Sequence, residues 1–215
     1  MKETLFTCLL LFCNLTLFAQ AGQSPRMVHV NEVSAIHTPP EEAPAGLTKI
    51  YSNFGSSKTD LYNDLSGWDV WGPHSSSGGP FFVGIPFTPK SNSHVSRVQV
   101  AVQYVGGANQ VNLSIYGDTN GGPGTLLAGP VTITNLPNAG TCCHLAVANF
   151  SPLAVTAGTR YWVVADTPLT GTGSDFSGIW NIVVKTILMG ADGGAGWQPT
   201  NADVLAAGEV LGTIP

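Results

Sequence analysis

Glycine and proline interrupt almost the whole chain, and their spacing is the feature that most limits what this sequence can fold into. The 215 residues include 26 glycines and 15 prolines, and both residue types destabilise the interior of a helix. After the N-terminal segment, the longest stretch without either residue is 90–105, where apolar and polar residues alternate. Long helices are therefore excluded, and short strands joined by turns are favoured.

The apolar residues of this stretch repeat with a period of two, as in a strand with one buried face. They are Val98, Val100, Val102 and Tyr104. The stretch 111–116 has the same alternation, and Gly106-Gly107 between the two runs predicts a tight hairpin. Further candidate strands are 49–54, 80–87, 125–133, 141–149, 159–167, 178–184 and 203–212. Many short strands with turn residues between them predict an all-β, antiparallel β-sandwich with negligible helix outside the signal peptide.

The charge balance excludes one class of partner. Charged residues are only 10% of the chain, with 8 Lys and Arg against 13 Asp and Glu, for a formal net charge of −5. An acidic chain with few basic residues does not fit nucleic-acid binding, which requires clustered Lys and Arg. A hydrophobic content of 43% favours a folded domain over disorder.

The N-terminus has the features of a secretory signal. Lys2 precedes an apolar stretch at 5–18, and Ala19-Gln20-Ala21 fits a small-x-small cleavage site. The apolar stretch is shorter than the roughly 20 residues of a membrane span, although an uncleaved anchor is the alternative. We expect a signal peptide at 1–21, a flexible proline-containing lead at 22–46 and one β-sandwich domain at 47–215. The mature chain should then be secreted or held at the cell surface, without a transmembrane segment.

Removal of the signal peptide leaves two cysteines, which are adjacent. Cys142 and Cys143 either form a vicinal disulfide or point to opposite faces of a strand. An ordinary disulfide joins Cα atoms about 5.5 Å apart, so neighbours in sequence form an unusual one. The neighbouring His144 does not complete a metal site, because structural zinc requires four ligands.

No motif indicates catalysis. The chain lacks a Gly-x-Ser-x-Gly nucleophile elbow and a His-Glu-x-x-His zinc signature. Three of the four glutamates of the mature chain lie in the lead, which leaves Glu209 and eight aspartates in the domain. A glycosidase requires two carboxylates on either side of the scissile bond. We therefore predict that the protein is not an enzyme.

Two kinds of binding site are worth testing. Aspartate side chains and loop carbonyls are the ligands that calcium takes, although aspartate next to glycine or serine more often fixes a turn. Tryptophan rings stack on sugar rings when exposed, although most tryptophans pack in the core. No cofactor is required, but the candidates for a structural calcium site are Asp60, Asp64, Asp69 and Asp192. The candidates for a carbohydrate site are Trp68, Trp71 and Trp197.

An ordered series of short motifs resembles a known family. The motifs are Ile50 to Gly55, Ser66-Gly67-Trp68, Phe87-Thr88-Pro89, Val111 to Asp118, Gly122 to Leu127, Ala157 to Trp162 and Asp192 to Trp197. Over about residues 48–213 the chain resembles the choice-of-anchor R family of secreted bacterial domains. A PEP-CTERM sorting tail often follows these domains, and this sequence does not contain one. The resemblance implies a jelly-roll-like sandwich and export, and it implies no catalytic residue.

Together these observations predict an exported, non-catalytic structural or interaction domain of the bacterial cell envelope or exterior. Its partner would be an envelope or extracellular protein or a polysaccharide. The alternative is a carbohydrate-binding module that uses exposed Trp or Tyr, with a structural calcium.

Overall fold

The computed structural model describes residues 26–29, 42, 44–56, 61–76, 78–168 and 174–215. Within these ranges the chain forms thirteen strands and no helix. The strands are β1 (Met27–His29), β2 (Thr48–Ser52), β3 (Asn63–Trp71), β4 (Phe82–Phe87), β5 (Ser93–Val100), β6 (Val102–Gly106), β7 (Gln110–Thr119), β8 (Gly122–Thr134), β9 (Ala146–Val155), β10 (Tyr161–Asp166), β11 (Ser177–Asp192), β12 (Gln198–Ala206) and β13 (Gly208–Thr213). No helix in the described part of the chain is long and apolar enough to cross a membrane. The predicted signal peptide, 1–21, lies outside the described residues.

Eight of the strands have the order of a jelly roll. In chain order these eight strands are β2, β4, β5, β7, β8, β9, β10 and β13. The first, eighth, third and sixth of them form the smaller sheet, in the spatial order β2-β13-β5-β9. The second, seventh, fourth and fifth are adjacent in the larger sheet, as β4-β10-β7-β8. Neighbouring strands in both sheets pair antiparallel. Two four-stranded sheets connected in this way are the jelly-roll arrangement, so the predicted all-β sandwich is confirmed.

The other strands extend the larger sheet. The long strand β11 pairs with both β3 and β6 near Trp180, and with both β4 and β12 near Gly190. The core lies between the two sheets, and Trp180, Phe87 and Val98 are among its fully buried residues. Because alternate residues of each strand point into this core, the intervening residues lie on the two outer surfaces.

The predicted hairpin at Gly106-Gly107 is wrong. Strand β6 pairs with β11 rather than with β7, and the amide of Ala108 donates to the carbonyl of Ser174. Gly107 has a φ of +77°, and a Cβ at this position would overlap the carbonyl oxygen of Asp175. The glycine is therefore required by a close approach to a distant loop, not by a turn between neighbouring strands.

Part of the predicted flexible lead is instead a strand. Residues Met27–His29 form β1, which pairs antiparallel with β3. The ring of His29 also contacts Ser66 through Nδ1 and Oγ, 2.7 Å apart. These residues are ordered because the edge of β3 offers backbone hydrogen bonds that a three-residue segment can satisfy.

The adjacent cysteines form a vicinal disulfide, the first of the two predicted alternatives. Both cysteines are buried, and they lie in the loop that joins β8 to β9. They pack in a small cluster with Tyr62 and Ala101. Gln103 holds the loop that contains them, because its amide accepts from the backbone N–H of Gly140 at 3.0 Å and donates to the carbonyl of Thr141.

Candidate functional site

Two of the three predicted sugar-stacking tryptophans are in the interior. Trp68 and Trp71 are only 8% and 7% exposed, so neither offers a ring face to a ligand. Trp68 points between the sheets because it lies on β3 in register with the core residue Trp180. Trp71 ends the same strand, where it pairs with Phe81 and the guanidinium of Arg26 lies 5.1 Å from its ring centroid.

Trp197 is half-buried and lies on the outer surface of the larger sheet. It belongs to the hairpin between β11 and β12, and its ring covers two glycines. A Cβ added at Gly84 or Gly190 would lie 3.4 Å from this ring. Asp192 shapes the hairpin, since its Oδ1 accepts from the backbone N–H of Gly194 at 2.8 Å and of Gly196 at 3.0 Å.

A second tryptophan lies beneath this surface. Trp162 is fully buried and flanks Gly190 together with Trp197. Its indole N–H donates to Oδ1 of Asp118 at 2.8 Å, and the same oxygen lies 3.6 Å from Nη1 of Arg160. Asp118 also accepts from the backbone N–H of Gly121 at 3.3 Å, through Oδ2. The aspartate therefore fixes both the β7–β8 turn and the position of the Trp162 ring.

Tyr116 presents a further half-buried aromatic ring on this surface. It lies opposite Trp162 in the β7–β10 pairing. Its neighbours in β7, Leu113 and Ile115, point into the core. Burial raises the pKa of the Tyr116 hydroxyl, and the nearby charge of Asp166 raises it further.

A row of polar side chains continues from Tyr116 along the same strands. Asp166 lies opposite Asn112 in the register of β10 and β7. The Oγ1 of Thr132 donates to Oδ1 of Asn112 at 2.8 Å. Burial raises the pKa of Asp166, and the polar amide of Asn112 lowers this pKa by a smaller amount.

We call this surface the outer face and define it by Asn112, Tyr116, Trp162, Asp166 and Trp197. Neighbouring strands lie about 4.8 Å apart. Tyr116 is on β7 and Trp197 covers β4 and β11, so two to three strand spacings, about 10 to 14 Å, separate the two rings. The outer face thus combines two partly exposed rings with a carboxylate and an amide, all carried by paired strands or by a hairpin fixed to them.

Sequence reasoning missed Tyr116, Asn112 and Asp166 as site residues. The alternation at 111–116 already placed Asn112 and Tyr116 on the face opposite the core. Their importance depends on Asp166 and Trp162, which are about 50 residues away in sequence and adjacent only through strand pairing.

The structure does not bring the predicted calcium ligands together. Asp60 lies outside the described residues. Asp64 lines an open cleft of about 470 Å³ beside Tyr62, Asp69 is buried next to Arg26, and Asp192 caps a hairpin. Among the residues that the structure describes, no group of three His, Cys, Asp or Glu side chains is placed to hold a metal ion.

Comparisons with known proteins give a structural similarity but no match in sequence. No protein-family model matches the chain, and no curated protein matches it. The chain is similar to the structure of the cysteine protease and lectin-like domains of Cwp84, a surface layer associated protein of Clostridium difficile, with 10% sequence identity and a TM-score of 0.48. The match covers 80% of this chain and 37% of that chain. The resemblance to the choice-of-anchor R family stays a prediction from the sequence motifs.

Proposed function

We propose that this protein is an exported, non-catalytic binding domain of the cell envelope or exterior, and that its outer face binds a polysaccharide. The observation that carries this proposal is the presence of two half-buried rings, Tyr116 and Trp197, on one surface of a single sheet. Hydrogen-bonding side chains lie beside them.

The chemistry of these side chains suits a sugar. Aromatic rings present large apolar faces, and the C–H faces of a pyranose are complementary to them. The carboxylate of Asp166 and the amide of Asn112 accept and donate hydrogen bonds to hydroxyl groups. These side chains lie on paired strands, so little conformational entropy is lost when a ligand binds.

Export is supported by the N-terminal sequence and by the cysteines. Residues 1–21 have the charge, apolar stretch and cleavage pattern of a signal peptide. The Cys142–Cys143 disulfide is of a kind that persists in oxidising compartments outside the cytoplasm.

Retention of the purified protein on insoluble cellulose, chitin and cell-wall material tests the proposal. We expect Trp197→Ala and Tyr116→Ala each to weaken retention about tenfold, as loss of about 1.4 kcal/mol of stacking would do. Phe150→Ala is the matched control, because Phe150 is a half-buried aromatic residue of β9 in the smaller sheet. It should leave retention unchanged.

Circular dichroism and thermal melting establish that each variant is folded before retention is compared. If the folded wild-type protein is retained on none of the matrices, or if both outer-face variants are retained as well as Phe150→Ala, the polysaccharide proposal is wrong. That result would favour a protein partner.

A further inference from the structure

Acidic side chains outnumber basic ones on and around the outer face. Besides Asp166 it is bordered by Asp118, Asp192 and Arg160. Arg160 lies within ion-pair distance of Asp118, and Asp192 accepts two backbone hydrogen bonds within its own hairpin. These side chains are therefore already engaged by the protein itself.

Asp166 is different, because its partner is a neutral amide. Among the basic side chains that the structure describes, which exclude Lys58 and Lys185, none lies within 4.0 Å of this carboxylate. Asn112 lies opposite it on the paired strand, and the hydroxyl of Thr132 donates a hydrogen bond to Asn112. The carboxylate is thus carried by a paired strand and half-buried, and no described basic side chain neutralises it.

A partly buried carboxylate without a cation is in an unfavourable environment, since burial removes water from its charged form. The raised pKa of Asp166 reflects this loss of hydration. A bound ammonium group would restore a favourable interaction through a charge-assisted hydrogen bond. A glycan that carries carboxylates would instead be repelled by this face and by the net charge of −5.

We propose that the outer face is specific for a polysaccharide with free amino groups, such as a polymer of glucosamine, whose ammonium group pairs with the carboxylate of Asp166. Two non-adjacent sugar rings of the same chain stack on Tyr116 and Trp197. This inference rests on the proposed function, because it names the ligand class of the same site.

Two soluble oligosaccharides of equal length test the inference. One is a hexamer of glucosamine, and the other is the same hexamer with every amine acetylated. Calorimetry at about pH 6 should show at least tenfold tighter binding of the glucosamine hexamer. Asp166→Asn keeps the shape of the side chain and removes its charge, so it should weaken binding of the glucosamine hexamer at least tenfold more than binding of the acetylated hexamer, which abolishes this preference.

Glu209→Gln is the matched control for general electrostatic attraction. It removes the same charge from β13 in the smaller sheet, where Glu209 lies 2.8 Å from Lys49, and it should keep the tenfold preference. Equal affinity for the two hexamers, or equal losses in Asp166→Asn and Glu209→Gln, would overturn the amine assignment while the proposed function stands. If neither hexamer binds and no polysaccharide retains the protein, the proposed function fails, and this inference fails with it.

Discussion

Replacing Gln103 with methionine should lower the free energy of unfolding by about 2 to 4 kcal/mol, because buried polar groups that lose a partner cost about 1 to 3 kcal/mol each. Gln103 is fully buried. Its amide satisfies the N–H of Gly140 and the carbonyl of Thr141 in the loop that contains the disulfide. Methionine fills a similar volume and makes neither hydrogen bond. Urea denaturation at neutral pH measures the effect.

Gln99 provides a matched control on the preceding strand. It is 3% exposed, and its side-chain nitrogen has no hydrogen-bond partner among the described residues. Gln99→Met removes an unsatisfied donor, so the free energy of unfolding should change by less than about 1 kcal/mol or should rise. Similar losses in the two variants would show that the Gln103 hydrogen bonds do not stabilise the loop.

The second large effect concerns Asp69, whose substitution by asparagine should remove much of the pH dependence of stability between pH 4 and pH 8. The carboxyl group of Asp69 is buried, and burial raises its pKa from 3.8 to about 7, although the nearby Arg26 lowers it. Between these values the folded protein binds more protons at Asp69 than the unfolded chain does. Its contribution is therefore full below about pH 4 and is lost as the pH rises through about 7.

A difference of about three pKa units corresponds to at most about 4 kcal/mol. We expect Asp69→Asn to be more stable than the wild-type protein at pH 8 by up to this amount, and nearly equal to it at pH 4. Denaturation at a series of pH values measures both curves. Arg26→Ala removes the cation beside the carboxylate, so it should raise the pKa of Asp69 further and extend the loss of stability to higher pH. Parallel curves for wild type and Asp69→Asn would show that Asp69 ionises near its ordinary pKa.

The accuracy of the sequence-based predictions depended on whether a feature is local. The alternation at 97–104 correctly placed Val98, Val100 and Val102 in the core. It did not show that the stretch divides at Ala101, where the chain passes from β5 in the smaller sheet to β6 in the larger one. Asn120 and Gly121, which are residue types typical of turns, both have positive φ between β7 and β8.

The candidate site was predicted less well than the fold. Of the three tryptophans proposed, only Trp197 is partly exposed. Trp71 is covered by Arg26, a contact that depends on the lead returning to the edge of β3. Composition around a tryptophan indicates how polar its neighbours in sequence are, whereas burial depends on residues that are distant in sequence.

By itself, the sequence determined that the chain is built of strands and turns rather than long helices, and which side of the stretches 97–104 and 111–116 faces the core. These properties follow from a two-residue period and from the backbone preferences of glycine, asparagine and proline, which act over a few residues. Only the tertiary structure decided which strands are neighbours, and therefore that Asp166 lies beside Asn112 and Tyr116 beside Trp162. Backbone hydrogen bonds between strands are the same for every residue type except proline, so strand order is set by how all the apolar faces pack together.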